Sequence, residues 1–312
     1  MAGVDINRTT SGVNLPPEVS SEIWATTQEA SAVMQLARQI SLPGPGVSIP
    51  IITGDAAADW VDETDEKPVS RATLSNKTIT PYKLAVIEPF SNEFRRDLPA
   101  LYAELARRLP FALAKKFDAT VFHASSAPGS NFDLLSTTTN TQGIVAGTGA
   151  NTIYKGLALA EAAIAGDGGM LNGWALSPQA RSLLRQAVDT TNRPLIFEST
   201  TAGGPNVPQL LGAPTYYSTA AYLDTTTDVY GYAGDWSSAV YGTVEGVQIA
   251  VTDTASITDG VTTLDVGEET VDIPNVLNLW QRNMFAVRAE IEIGFRVKNV
   301  EHFVKLTAGT VS

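Results

Sequence analysis

The chain has 312 residues, with 21 Lys+Arg against 33 Asp+Glu and a formal charge of −12, which disfavours nucleic-acid binding through a generally basic surface. Its 44% hydrophobic and 17% charged residues are those of a folded protein, long enough for one large irregular domain or two ordinary ones. The absence of cysteine excludes disulfides, thiolate metal sites and Cys nucleophiles.

Met1 to Ser11 is largely polar and does not read as a secretory leader. From Pro16 to Ile40, apolar residues at Val19, Ile23, Trp24, Val33, Leu36, Ala37 and Ile40 predict a short, interrupted helical arm. Pro43-Gly44-Pro45-Gly46 ends it in a turn, and Val47, Ile49 and Ile51 then alternate as in a strand. The next stretch, Gly54 to Lys67, sets Asp55, Asp59, Asp62, Glu63, Asp65 and Glu66 against a single lysine, around a solitary Trp60-Val61 pair. It has no core of its own, whereas both its flanks alternate, so 54–76 is expected to be a two-stranded projection that needs another surface to lie on. Trp60 is the natural anchor for such a contact.

Asp97 and Pro99 then open the clearest helix, which repeats Leu98, Leu101, Leu105, Leu109, Ala112, Leu113, Phe117, Thr120 and Val121 at three- and four-residue steps and runs to about His123. Such a rod is about 40 Å long, and Pro110 within it is expected to kink it. Residues 125–150 read as loop. A helix over 152–165, a strand at Trp174–Ser177 and a helix opened by Pro178 mark an α/β-like part. Leu210 to Thr215 reads as a turn into a strand, and Ala239 to Val251 as a hairpin around Glu245-Gly246. Asp224 to Asp272 holds ten acidic and no basic residues. Met284 to Leu306 alternates again, as strands expected to close beside the long helix. The charge-free stretch 199–223 is broken by Pro205, Pro208 and Pro214, so no segment predicts a membrane-spanning helix.

Reactive constellations are hard to find. The sequence contains no phosphate-binding Gly-Lys-Ser/Thr loop and no Gly-x-Ser-x-Gly elbow, and His123 and His302 lie in no metal-ligand pattern. The clusters Asp62-Glu63, Asp65-Glu66 and Glu268-Glu269 lack a calcium-loop spacing. They read as solvated faces or as contacts for a basic neighbour. No cofactor and no enzymatic activity is expected.

The order of these parts resembles the major capsid proteins of tailed bacteriophages, whose Hong Kong ninety-seven type fold also builds encapsulin shells. The segments that carry the resemblance are LPPEVSSEIWATTQEAS (15–31), ADWVDETDEKPVS (58–70), KLAVIEPFSNEFRRD (83–97) leading into the helix over 98–122, LGAP (211–214), GDWS (234–237) and FAVRAEIEIGFRVKNVEHFVKL (285–306). The resemblance implies an α+β fold with 1–46 as N-terminal arm and 47–82 as extended loop with flanking strands. It implies a peripheral domain over 83–150 with its spine helix at about 97–123, a mostly axial α/β domain over 151–272, and C-terminal strands over 273–312 returning to the peripheral domain.

By function it implies a shell subunit that self-assembles into hexamers and pentamers of an icosahedral head enclosing double-stranded DNA, without sequence-specific contacts. The expected partners are a separate scaffolding protein, a portal protein and decoration proteins, and the expected location is the virion capsid, assembled in the host cytoplasm. Candidate subunit-interface residues are Ile23, Trp24, Trp60, Asp62, Glu63, Asp65, Glu66, Lys67, Pro68, Arg71, Arg95 and Arg96. Some relatives join a loop lysine to a neighbour's asparagine with the help of a glutamate. Lys67, Lys77 and Glu63 would be the residues to draw on, but no motif identifies a reacting trio. An encapsulin-type compartment remains the alternative of the same fold, and a soluble acidic hydrolase or carbohydrate-binding module the alternative of another class.

Overall fold

The computed structural model describes residues 27–28, 30–54, 60–61, 67, 69, 71, 73–93, 98–144, 152–187, 208–266 and 269–309. They form a mixed α+β structure of two compact units, each assembled from separated stretches of chain.

The first unit takes 83–114 and 245–291. Its helix is the leading part of α2 (Leu98–His123), which continues without a break through Pro110. Leu109 and Leu113 bury one stripe of that helix against Phe285, Val287, Ala289 and Ile291 of β14 (Met284–Val297) and against Phe90 of β4 (Tyr82–Ser91). The Phe90 and Phe285 rings stack at 5.7 Å. β11 (Gln248–Thr252) pairs antiparallel with β14 from Gln248↔Glu290 to Thr252↔Ala286. A long antiparallel hairpin, β12 (Ser256–Val266) with β13 (Glu269–Asn278), forms a sheet of its own. Its root is buried through Leu277, Leu279 and Ala286.

The second unit takes 29–82, 115–244 and 292–312. Its largest element is a six-stranded sheet in the order β5 (Thr141–Gly143), β15 (Phe303–Thr307), β9 (Val229–Gly234), β6 (Gly173–Leu176), β8 (Ala213–Tyr217) and β7 (Gln209–Leu210). α3 (Thr152–Gly166) packs Ile153, Leu157, Ala160 and Ile164 into the core of this sheet, at the spacing of one helical face. α4 (Pro178–Arg185) begins at Ser177, whose hydroxyl accepts the Ala180 N–H, with Pro178 in the first turn where no backbone donor is needed. Two indoles are sealed in with their N–H groups satisfied: Trp174 Nε1 donates to the Leu210 carbonyl at 2.9 Å and Trp236 Nε1 to that of Gly173 at 3.1 Å.

Three expectations are corrected. The arm is not helical to Ile40: α1 (Ala32–Leu36) stops early, and β1 (Arg38–Ser41) pairs in parallel with β10 (Ala239–Thr243). The spacing of Val33, Leu36, Ala37 and Ile40 suits a helix, but sheet pairing with a distant strand wins. No hairpin forms over 239–251 either. β10 pairs with Ile293–Val297 and β11 with Ala286–Glu290, both against β14 and not against each other. Finally, 125–150 is not all loop, since β5 adds to the edge of the six-stranded sheet beside β15.

The expected turn over 43–46 leads straight into β2 (Val47–Gly54), which pairs antiparallel with β3 (Thr73–Ile79) from Val47↔Ile79 to Gly54↔Thr73. Gly46 has φ +90°, and a Cβ there would collide with the Ile79 carbonyl oxygen. Gly46→Ala therefore meets both a left-handed backbone and a backbone clash. It is expected to cost about 2 kcal/mol, read as a lowered urea midpoint of the purified subunit.

Candidate assembly surfaces

The β2–β3 pair is the root of the expected acidic projection, and Arg296 and Lys77 tie it to the rest of its unit. Arg296 Nε donates to the Thr78 carbonyl at 2.9 Å, Nη1 to Asp133 Oδ1 at 2.6 Å and Nη2 to Asn131 Oδ1 at 3.0 Å. Asp133 also accepts the Val297 N–H at 3.0 Å and lies 3.5 Å from Lys77 Nζ, which in turn donates to the Val297 carbonyl at 2.7 Å. The root of the projection is thus held by charge-assisted hydrogen bonds, which are stronger than neutral ones. Lys77, singled out from the sequence for cross-linking, is engaged in holding that root.

Beyond the root, Trp60 is 104% exposed, and Val61, Lys67 and Arg71 are exposed with it. Asp62, Glu63, Asp65, Glu66 and Pro68 lie outside the described residues, as do Ile23, Trp24, Arg95 and Arg96. The Trp60 indole therefore lies wholly in water, an unusual place for so large an apolar group.

A second feature anchors the N-terminal side. Asp118 of α2 is fully buried, accepting the Ser31 hydroxyl at 2.6 Å, the Ala32 N–H at 3.0 Å and the Val33 N–H at 3.4 Å. The Ser31 hydroxyl accepts the Met34 N–H at 3.1 Å. One carboxylate therefore closes the first turn of α1. Burial outweighs these hydrogen bonds and pushes the Asp118 carboxyl up from 3.8 to about 6. Sequence reading missed this residue, because an aspartate among the polar positions of an amphipathic helix looks solvated.

It also missed the β12–β13 hairpin. Val261 and Ile273 are exposed along it, as is Val276, which is 62% exposed; Trp280 just beyond is 73% exposed. The signal for it was the pair of Val/Ile/Thr-rich runs either side of Gly267-Glu268. Among the described residues no three His, Cys, Asp or Glu side chains converge to hold a metal ion, and no helix is long and apolar enough to cross a membrane.

Trp60 and Trp280 are thus both exposed, the first between strands whose pairing is held by charge-assisted hydrogen bonds and the second just beyond the β12–β13 hairpin. Residues 11–308 match the phage capsid family, and the chain belongs to that family, as a structural major capsid protein of the virion shell. It is 33% identical over 298 residues to a probable major capsid protein of Mycobacterium phage D29, covering 94% of this chain and 89% of that one. The corresponding protein of Mycobacterium phage L5 is 34% identical over 304 residues, with the same coverage. A solved structure from Mycobacterium phage Adephagia superposes with a TM-score of 0.67 at 19% identity over 91% of each chain, which supports the α+β tailed-phage capsid fold expected from the sequence.

Proposed function

We propose that this subunit forms hexamers and pentamers of an icosahedral head around double-stranded DNA and performs no catalysis. In this reading 1–46 is the arm and 47–82 the extended loop. Residues 83–150 form the peripheral domain, 151–272 most of the axial domain, and 273–312 the closing strands. Ile23, Trp24 and the residues of the loop from Trp60 to Arg71 reach neighbouring subunits, and Arg95 and Arg96 meet acidic groups there. A separate scaffolding protein and a portal protein act with it, and assembly takes place in the host cytoplasm. The observation that carries the reading is Trp60: a fully exposed indole on a segment that cannot bury it, where symmetry would multiply one modest contact many times over. Electron microscopy of the purified, concentrated protein is expected to show polyhedra, tubes or capsomer rings. A chain that stays monomeric at high concentration would overturn the proposal.

A further inference from the structure

A chain of formal charge −12 nevertheless gathers four cations around one hollow of about 280 Å³. Arg38, Lys77, Arg296 and Lys298 line it, and Ile49 and Val240 add apolar lining. Strand register explains the convergence. Arg38 lies beside Val240, and Val240 beside Arg296, in one row across β1, β10 and β14, while Ile49 lies opposite Lys77 on the loop root. The Lys298 N–H donates to the Ser238 carbonyl at 2.9 Å, which brings this residue to the same hollow. Among the described residues Asp133 is the one carboxylate paired with this cluster, and it serves Lys77 and Arg296. Arg38 and Lys298 are exposed and take part in none of the ion pairs between described residues. The hollow therefore keeps a surplus of positive charge beside its apolar lining.

We infer that this hollow receives the acidic, Trp60-centred loop segment of a second copy of the chain. Resting on the shell reading above, this supplies the loop with its acceptor. The complementarity is chemical on both counts. The segment Asp59-Trp60-Val61-Asp62-Glu63-Thr64-Asp65-Glu66 offers one large apolar group within a run of carboxylates, and the hollow offers apolar lining beside cations that outnumber its one paired carboxylate. A Trp seated in a desolvated pocket is a common interface hot spot, and complementary charge around it steers the encounter and fixes the register. The chain's own loop is not the occupant, because Trp60 is wholly exposed. Nor is duplex DNA favoured, since phosphates have no use for the apolar lining or for an indole.

The test uses full-length chains. A pocket variant carries Arg38→Glu and Lys298→Glu, and a loop variant carries Asp62→Lys and Asp65→Lys. Both sets are expected to fold, since Arg38 and Lys298 are exposed, and urea midpoints of the unassembled subunits check this. Each variant alone is expected to lower the yield of sedimenting particles at least tenfold, and Trp60→Ala to do the same. Mixing the two variants is expected to restore particles containing both chains, because each loop then finds a hollow of opposite charge. Pocket-variant particles at wild-type yield would overturn the inference and leave the shell reading standing, including the case in which those particles merely retain less DNA. Rescue only when both changes share one chain would also overturn it, in favour of contact within a subunit. If no chain, wild type included, forms particles, both readings fall.

Discussion

Lowering the pH from 6 to 4 is expected to stabilise the folded subunit by about 2 kcal/mol through Asp118 alone, and Asp118→Asn to remove that gain. Below 3.8 the carboxyl is protonated in both the folded and unfolded chains, so the contribution is fully present. As pH rises, the unfolded chain ionises first, because burial holds the folded group protonated until about 6. Stability from this group therefore declines across that window and is gone above it. Asparagine has the same size and cannot ionise, but its Nδ2 faces a backbone donor where Asp118 Oδ2 accepts the Ala32 N–H, which adds a penalty independent of pH. The measurement is the difference in urea stability between the two proteins at a series of pH values. Taking the difference cancels every other titrating group. A gap that stays constant from pH 4 to 7 would show that Asp118 ionises as freely in the folded chain as in the unfolded one.

Asp133→Ala is expected to cost about 3 kcal/mol, near the value for breaking a largely buried pair and well above that of a surface ion pair. The side chains of Arg296 and Asp133 are only 14% and 22% exposed, so the guanidinium would be left in a poorly solvated place without its counter-charge. The substitution also removes the acceptor of the Val297 N–H, a backbone donor with almost no access to water. Arg296→Met in the Asp133→Ala background should recover part of the loss, because it removes the stranded charge. Urea midpoints of the four proteins in the cycle measure the coupling. A loss under 0.5 kcal/mol, within the range typical of exposed surface pairs, would mean that the root of the loop is held by the β2–β3 packing and not by this cluster.

The parts of the fold that could be read from sequence are those whose burial repeats locally. Leu109, Leu113, Phe117 and Val121 are all buried along α2, as their spacing implies, although Ala112, which the notional stripe also included, faces solvent. The Gly-Pro turn before β2 and the proline-opened α4 were legible for the same local reasons. β1 was not, because its partner β10 is far along the chain and the helical spacing of Val33, Leu36 and Ala37 runs on into it at Ile40. The β12–β13 hairpin escaped for the opposite reason. Val261 and Val276 fall on one face and Ile273 on the other, so no burial alternation marks it. The exposure of Trp60 was legible because nothing around it in sequence could cover it. The cationic hollow was not, since Arg38, Lys77 and the Arg296–Lys298 pair come from three separate segments that only strand register brings together.

The β12–β13 sheet has just two strands, so each presents an outer edge whose backbone groups pair with no other strand among the described residues. Exposed valine and isoleucine beside such an edge would ordinarily invite stacking of one molecule onto the next, the first step towards precipitation. Asp259, Asp265, Glu269 and Asp272 lie along these strands without a single compensating cation in the sequence between them. Mutual repulsion then acts as a gatekeeper. Solubility of the free polypeptide accordingly rests on this run of like charge, and concentrated salt, by screening it, is where turbidity would first arise.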